Sequence, residues 1–134
     1  MVQLGLVVAQ YDKHGAVVEE MTESARSAAA GHDVVETVTV PGAYDTPLAA
    51  DRLARRDDVD AVAVLGVVIE GDTDHDKVIT DAAAQALTDV SLERDTPVTL
   101  GILGPGMSRA EAEARTHKGG TAVTSAIELA TKLP

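Results

Sequence analysis

Residues 60–69 read DAVAVLGVVI, and after Asp60 only Gly66 interrupts a run of Val, Ala, Leu and Ile. A strand with one wet face would alternate apolar and polar residues, and a surface helix would carry only an apolar stripe. An unbroken run of this length, rich in β-branched residues, suits a strand buried on both faces. Such a strand needs a covering layer on each side. Parallel neighbours also need crossover connections, normally helices.

The flanks supply both. Downstream, a helical pattern covers about 75–92. Upstream, TPLAADRLARR (46–56) carries Pro47 near a helix start, and before it DVVETVTV (33–40) reads as a strand ending at Pro41-Gly42. QLGLVVA (3–9) predicts a first strand. After it, Val17, Val18, Met21 and Ala25 recur at helical spacing within 12–30, up to Gly31. TPVTLGIL (96–103) predicts a fourth strand, followed by a Gly-Pro-Gly turn at 104–106 and helical segments at about 108–115 and 119–132. Four strand-then-helix units predict one domain over 1–134. Its fold class is α/β, a three-layer α/β/α sandwich around a mainly parallel four-stranded sheet.

The chain has 11 Lys+Arg against 22 Asp+Glu, a formal net charge of −11, which would repel a polyphosphate backbone and argues against nucleic acid as a partner. The same balance is a feature of proteins adapted to high salt, where screening removes much of the self-repulsion. There is no cysteine, hence no disulfide or thiolate metal site. The opening residues lack a basic region followed by a cleavable apolar stretch, and no apolar run reaches the ~18 residues of a bilayer span. A cytoplasmic protein without a membrane partner is expected. Phe and Trp are absent and the chain has two Tyr, so Tyr11 and Tyr44 call for a reason other than routine core filling.

In open parallel sheets, ligands bind outside the carboxyl ends of the strands. Those ends are expected at Tyr11-Asp12, Pro41 to Asp45, Gly66 to His75 and Leu100 to Gly106, so nearly every unusual residue falls on one rim. Gly71-Asp72-Thr73 precedes a helix whose free N–H groups could hold a phosphate, or Thr73 or Asp74 could simply cap it. His75 could be a surface residue, a capping partner, a metal ligand or a proton-transfer group. The metal reading lacks a second His at i+3 or i+4, since His14, His32 and His117 are scattered. Asp74, Asp76 and Lys77 read as helix-start and surface charges.

Five segments together carry a resemblance: AQYDK (9–13), VPGAYDTPLA (40–49), VVIEGDTDHDKV (67–78), PVTLGILGPGMSRAEAEAR (97–115) and HKGGTAVTSAIELATKL (117–133). In them the chain resembles the lumazine synthase family, in particular its short archaeal-type branch. The resemblance implies a flavodoxin-like fold and a transferase of riboflavin biosynthesis. Such an enzyme condenses 5-amino-6-(D-ribitylamino)uracil with 3,4-dihydroxy-2-butanone 4-phosphate, and no metal or organic cofactor is implied.

By the same resemblance, Tyr11 stacks on the pyrimidine, and Ala43, Tyr44 and Asp45 line the ribityl and ring pocket. Val67, Val68 and Ile69 meet the uracil edge, with Leu100 as an apolar lid where many relatives have Phe. Asp72, Thr73 and Arg115 hold the phosphate, His75 moves protons, and Lys118 is a secondary pocket candidate. From the residues alone, Arg115 reads as a solvated helix residue paired with Glu111 at i−4. Family members assemble as pentamers or as capsids of twelve pentamers, with sites between subunits. The nearest rival is the archaeal-type riboflavin synthase, which lacks the Thr-x-His turn combined with a phosphate arginine. A non-catalytic flavodoxin-like module and a shell-forming structural protein are further alternatives.

Overall fold

The computed structural model describes residues 1–11, 16–71 and 74–133. Strands β1 (Gln3–Ala9), β2 (Asp33–Val40), β3 (Ala61–Ile69) and β4 (Val98–Met107) alternate with helices. These are α1 (Val17–Ala28), α2 (Thr46–Ala54), α3 (His75–Arg94), the short α4 (Arg109–Glu113) and α5 (Lys118–Lys132). A single 3-10 turn, Ala43–Asp45, leads into α2. All strand pairs are parallel, in the order β2-β1-β3-β4.

The unbroken apolar character of β1 and β3 follows from their position. They are the two inner strands, and successive side chains project to opposite faces. Leu4, Leu6 and Val8 of β1 and Ala61, Ala63 and Leu65 of β3 point to one side. There Val17, Val18, Met21 and Ala25 of α1 and Ala122, Val123 and Ala126 of α5 cover them. Val7, Val62 and Val64 point to the other, beneath Ala49, Ala50 and Leu53 of α2 and Ala83, Leu87 and Val90 of α3. Each fully buried Leu or Val contributes about 1.5–3 kcal/mol relative to exposure. With no Phe or Trp to fill space, the layers close through small residues. A Cβ built on Gly119 of α5 would stand 2.0 Å from the Met21 carbonyl oxygen of α1, so glycine sets how closely these helices approach. One residue on, the Gly120 N–H donates to Ser24 Oγ at 3.0 Å.

Helix α3 ends where Asp95 adopts a left-handed conformation, φ 51°. There Arg94 Nε donates to Asp51 Oδ1 of α2 at 2.7 Å, tying together the helices that share a face.

The fourth strand departs from expectation. Gly-Pro-Gly at 104–106 is not a turn that ends it; β4 continues through these residues to Met107, which pairs with Ile69 across a register shift. Backbone proximity explains the glycine. Gly104 has φ 111°, and a Cβ there would lie 2.3 Å from the Val68 carbonyl oxygen, so only glycine lets β4 pass the end of β3. Leu100, expected at a strand end near the rim, sits close to the start of β4, opposite Val64 on the sheet's edge and about 16 Å back from Met107.

The chain steps one way from β1 to β2 and the other way from β3 to β4. Right-handed crossovers then put α1 on one face and α2 and α3 on the other. Outside the carboxyl ends of β1 and β3, where the direction reverses, a crevice opens among the described residues.

Candidate active site

A cleft of about 640 Å³ occupies that crevice. Ladder bonding continues past the ends of β1 and β2. The Gln10 N–H donates to the Val40 carbonyl at 2.7 Å and the Tyr11 N–H to the Pro41 carbonyl at 2.9 Å. This extension delivers the Tyr11 ring, 62% exposed, beside the segment Pro41–Asp45. The segment is itself pinned. Buried Thr46 donates its hydroxyl to the Ala43 carbonyl at 2.8 Å, and Asp45 Oδ2 accepts from the Gly42 N–H at 3.0 Å. Ala43 is buried, while Tyr44 and Asp45 stay open to the cleft.

The floor is Val67, Val68 and Ile69, where β3 has run past its pairing with β1 and keeps only β4 beside it; Val67 is buried and the next two are half-buried. The far wall is the start of α3, with His75, Asp76 and Ile79. His75 and Ile79 are four residues apart and so share a helix face.

The cleft thus gathers Tyr11, Ala43, Tyr44, Asp45, Val67, Val68, Ile69 and His75. Asp72 and Thr73 lie outside the described residues. Leu100 and Arg115 are not part of this cleft. Arg115, with His117 and Lys118, borders a second cavity of about 350 Å³ against Ile102, Leu103, Gly104 and Met107.

The pairing expected between Arg115 and the Glu111 carboxylate does not form as a side-chain ion pair. Arg115 Nη1 donates to the Glu111 backbone carbonyl at 2.9 Å. The Glu111 carboxylate instead accepts from the Ser108 N–H, completing a capping box at the start of α4. Those bonds to Ser108 hold the Glu111 carboxyl below its ordinary value. The guanidinium keeps its remaining donors for another partner.

Asp76 also departs from its reading as a surface charge. It is 7% exposed, the only buried acidic residue among those described, and its Oδ2 accepts from the Gly106 N–H of β4 at 2.9 Å. Nothing in the local sequence separates Asp76 from exposed Asp74, because burial here depends on β4 passing the end of β3. Ile79 was legible in principle, since it lies one helical turn beyond His75.

The formally charged side chains that line the cleft are all acidic among the described residues. Asp45, Glu70 and Asp76 line it, and no Lys or Arg does among the described residues. Among those residues no group of three or more His, Asp or Glu is arranged to hold a metal ion. Nor is any described helix long and apolar enough to cross a membrane.

Fold and cleft together define a flavodoxin-like α/β protein with an open cleft at the topological switch point of its sheet. More particularly, the chain belongs to the 6,7-dimethyl-8-ribityllumazine synthase family, whose family model matches residues 1–133. It is 62% identical to 6,7-dimethyl-8-ribityllumazine synthase of Halobacterium salinarum, over 99% of this chain and 100% of that protein. The same identity holds to the Halorubrum lacusprofundi enzyme, over 99% of each chain. The Methanococcus aeolicus enzyme is 44% identical over 99% of this chain and 98% of that one.

Proposed function

We propose that this chain condenses 5-amino-6-(D-ribitylamino)uracil with 3,4-dihydroxy-2-butanone 4-phosphate, giving 6,7-dimethyl-8-ribityllumazine, phosphate and water. The observation that carries the reading is the convergence of Tyr11, Ala43 to Asp45, Val67 to Ile69 and His75 on one cleft, in a chain matched end to end by the family. One domain supports the whole activity, and the substrates are small molecules.

The roles follow from chemistry. An exposed Tyr11 ring at the mouth offers a flat face for the pyrimidine. Val67 to Ile69 provide an apolar floor whose backbone groups on the side of β1, beyond the last β1 pairing at Leu65, can meet the uracil edge. Asp45 can accept from ribityl hydroxyls through the oxygen that Gly42 does not use. His75, at the start of α3, is the proton-transfer group as the ring amine attacks the ketone, phosphate leaves and the second ring closes. Holding both substrates in register makes the first of these steps effectively unimolecular.

The cleft's carboxylates make it poor by itself for a phosphate dianion. Arg115 and Lys118 line a different cavity of the same chain, and Arg115 has free donors suited to a forked phosphate contact. We therefore assign the functional unit to a homo-oligomer, a pentamer or a capsid of twelve pentamers. In it Arg115 and the exposed Leu100 of one copy complete the cleft of its neighbour. The cytoplasm is the expected location.

The test is an absorbance assay supplied with both substrates, against one supplied with the lumazine alone. Lumazine should form in the first, with no riboflavin in the second. Arg115→Ala should raise KM for the butanone phosphate while leaving that for the aminouracil nearly unchanged. Riboflavin from lumazine alone, or an Arg115→Ala variant with unaltered KM for the phosphate substrate, would overturn the reading.

A further inference from the structure

Asp76 is a carboxylic acid withdrawn from water, and such burial is costly unless the group is hydrogen-bonded. Its partner is not local. Oδ2 accepts from the N–H of Gly106, thirty residues away, in the part of β4 that passes the end of β3. That part of β4 is anchored from its other side, where the Glu70 N–H donates to the Met107 carbonyl at 2.9 Å. Within α3, buried Thr80 donates its hydroxyl to the Asp76 carbonyl at 2.9 Å, a further bond between Asp76 and the next helical turn. Asp76 follows His75 directly, and adjacent helix residues point about 100° apart. Fixing one direction therefore fixes the other.

We infer that Asp76 is a positioning residue: its bond to the Gly106 N–H sets the rotation of the first turn of α3 and so aims His75 into the cleft. A first helical turn lacks half of its intrahelical bonds and frays readily without such an anchor. The same bond links the His75 wall to Gly104–Met107, which borders the cavity holding Arg115. One contact thereby ties the His75 wall of a copy's own cleft to the strand beside the Arg115 that it offers to the neighbouring cleft. The inference rests on the proposed function.

The test compares wild type with Asp76→Ala, which removes the acceptor, and Asp76→Asn, which keeps an oxygen for Gly106. Steady-state kinetics with both substrates are measured at a temperature where thermal melts show each variant folded. Asp76→Ala should lower kcat about tenfold with both KM values changed less than about threefold, because misaimed chemistry costs rate rather than binding. Asp76→Asn should recover kcat to within about threefold of wild type. Should Asp76→Ala not fold, Asp76→Ser, whose hydroxyl is too short to reach Gly106, replaces it. An Asp76→Ala or Asp76→Ser variant with wild-type kcat overturns the inference, as does an Asp76→Asn variant equally impaired. A wild type that forms no lumazine overturns the proposed function as well, so the two failures are distinguishable.

Discussion

Mixing two crippled chains gives the most direct test of whether the site is shared between copies. The structure puts His75 in the acidic cleft and Arg115 at a separate cavity bordered by β4, so the two residues line different cavities of one chain. Take His75→Gln and Arg115→Ala, each weakly active alone, and coexpress them in equal amounts. In a closed ring of identical contacts, a complete site needs an intact His75 from one position and an intact Arg115 from the next. With random incorporation each condition is met half the time, so about a quarter of the sites are complete and about a quarter of wild-type activity returns. If each site belonged to one chain, no mixed assembly would contain a complete site and activity would stay at the mean of the two variants. The assay is lumazine formation on the mixed assembly, with light scattering to verify that the ring has formed. Activity no higher than that mean, in assemblies shown by mass spectrometry to contain both chains, would refute the shared site.

His75→Gln alone should lower kcat about a hundredfold without abolishing it, since general acid–base catalysis is lost while positioning remains; unchanged turnover at saturating substrates would rule out proton transfer. Gly119→Ala should destabilise the fold although alanine favours helices, because the new Cβ would stand 2.0 Å from the Met21 carbonyl oxygen. Overpacking of this kind costs about 1–3 kcal/mol, or a melting temperature lower by roughly 5–10 °C, and a variant melting at or above wild type would contradict the close approach of α1 and α5. The bond from the Arg94 guanidinium holds the Asp51 carboxyl below its ordinary value. A depressed carboxylate stabilises the fold fully above the ordinary Asp range and loses that contribution as pH falls through the folded value. The gap in melting temperature between wild type and Arg94→Ala should therefore be steady above the ordinary Asp value of 3.8 and shrink as pH falls below it, and a gap independent of pH would exclude this source.

The alternation of strands and helices was readable because burial on both faces leaves no polar alternation in an inner strand. That is why DAVAVLGVVI announced a covered parallel sheet. The rim residues Tyr11, Ala43 to Asp45 and His75 were readable for a related reason, since each stands where an apolar run stops and unusual side chains begin. Two features were hidden. Gly104 to Gly106 has the composition of a turn, and only its close approach to the Val68 carbonyl makes it a continuing strand that moves Leu100 away from the rim. Asp76 has the local surroundings of a surface acid, and only the arrival of β4 buries it.

The division has a physical origin. Periodicity reports which faces of a segment avoid water, so the sequence by itself determined the element types, the three layers and the end of the sheet at which the cleft opens. The strand order β2-β1-β3-β4, the crevice between β1 and β3, the Asp76 bond to Gly106 and the separation of Arg115 from His75 all depend on contacts between residues distant along the chain. Local pattern carries no signal for which segments meet, and only the tertiary structure decided them.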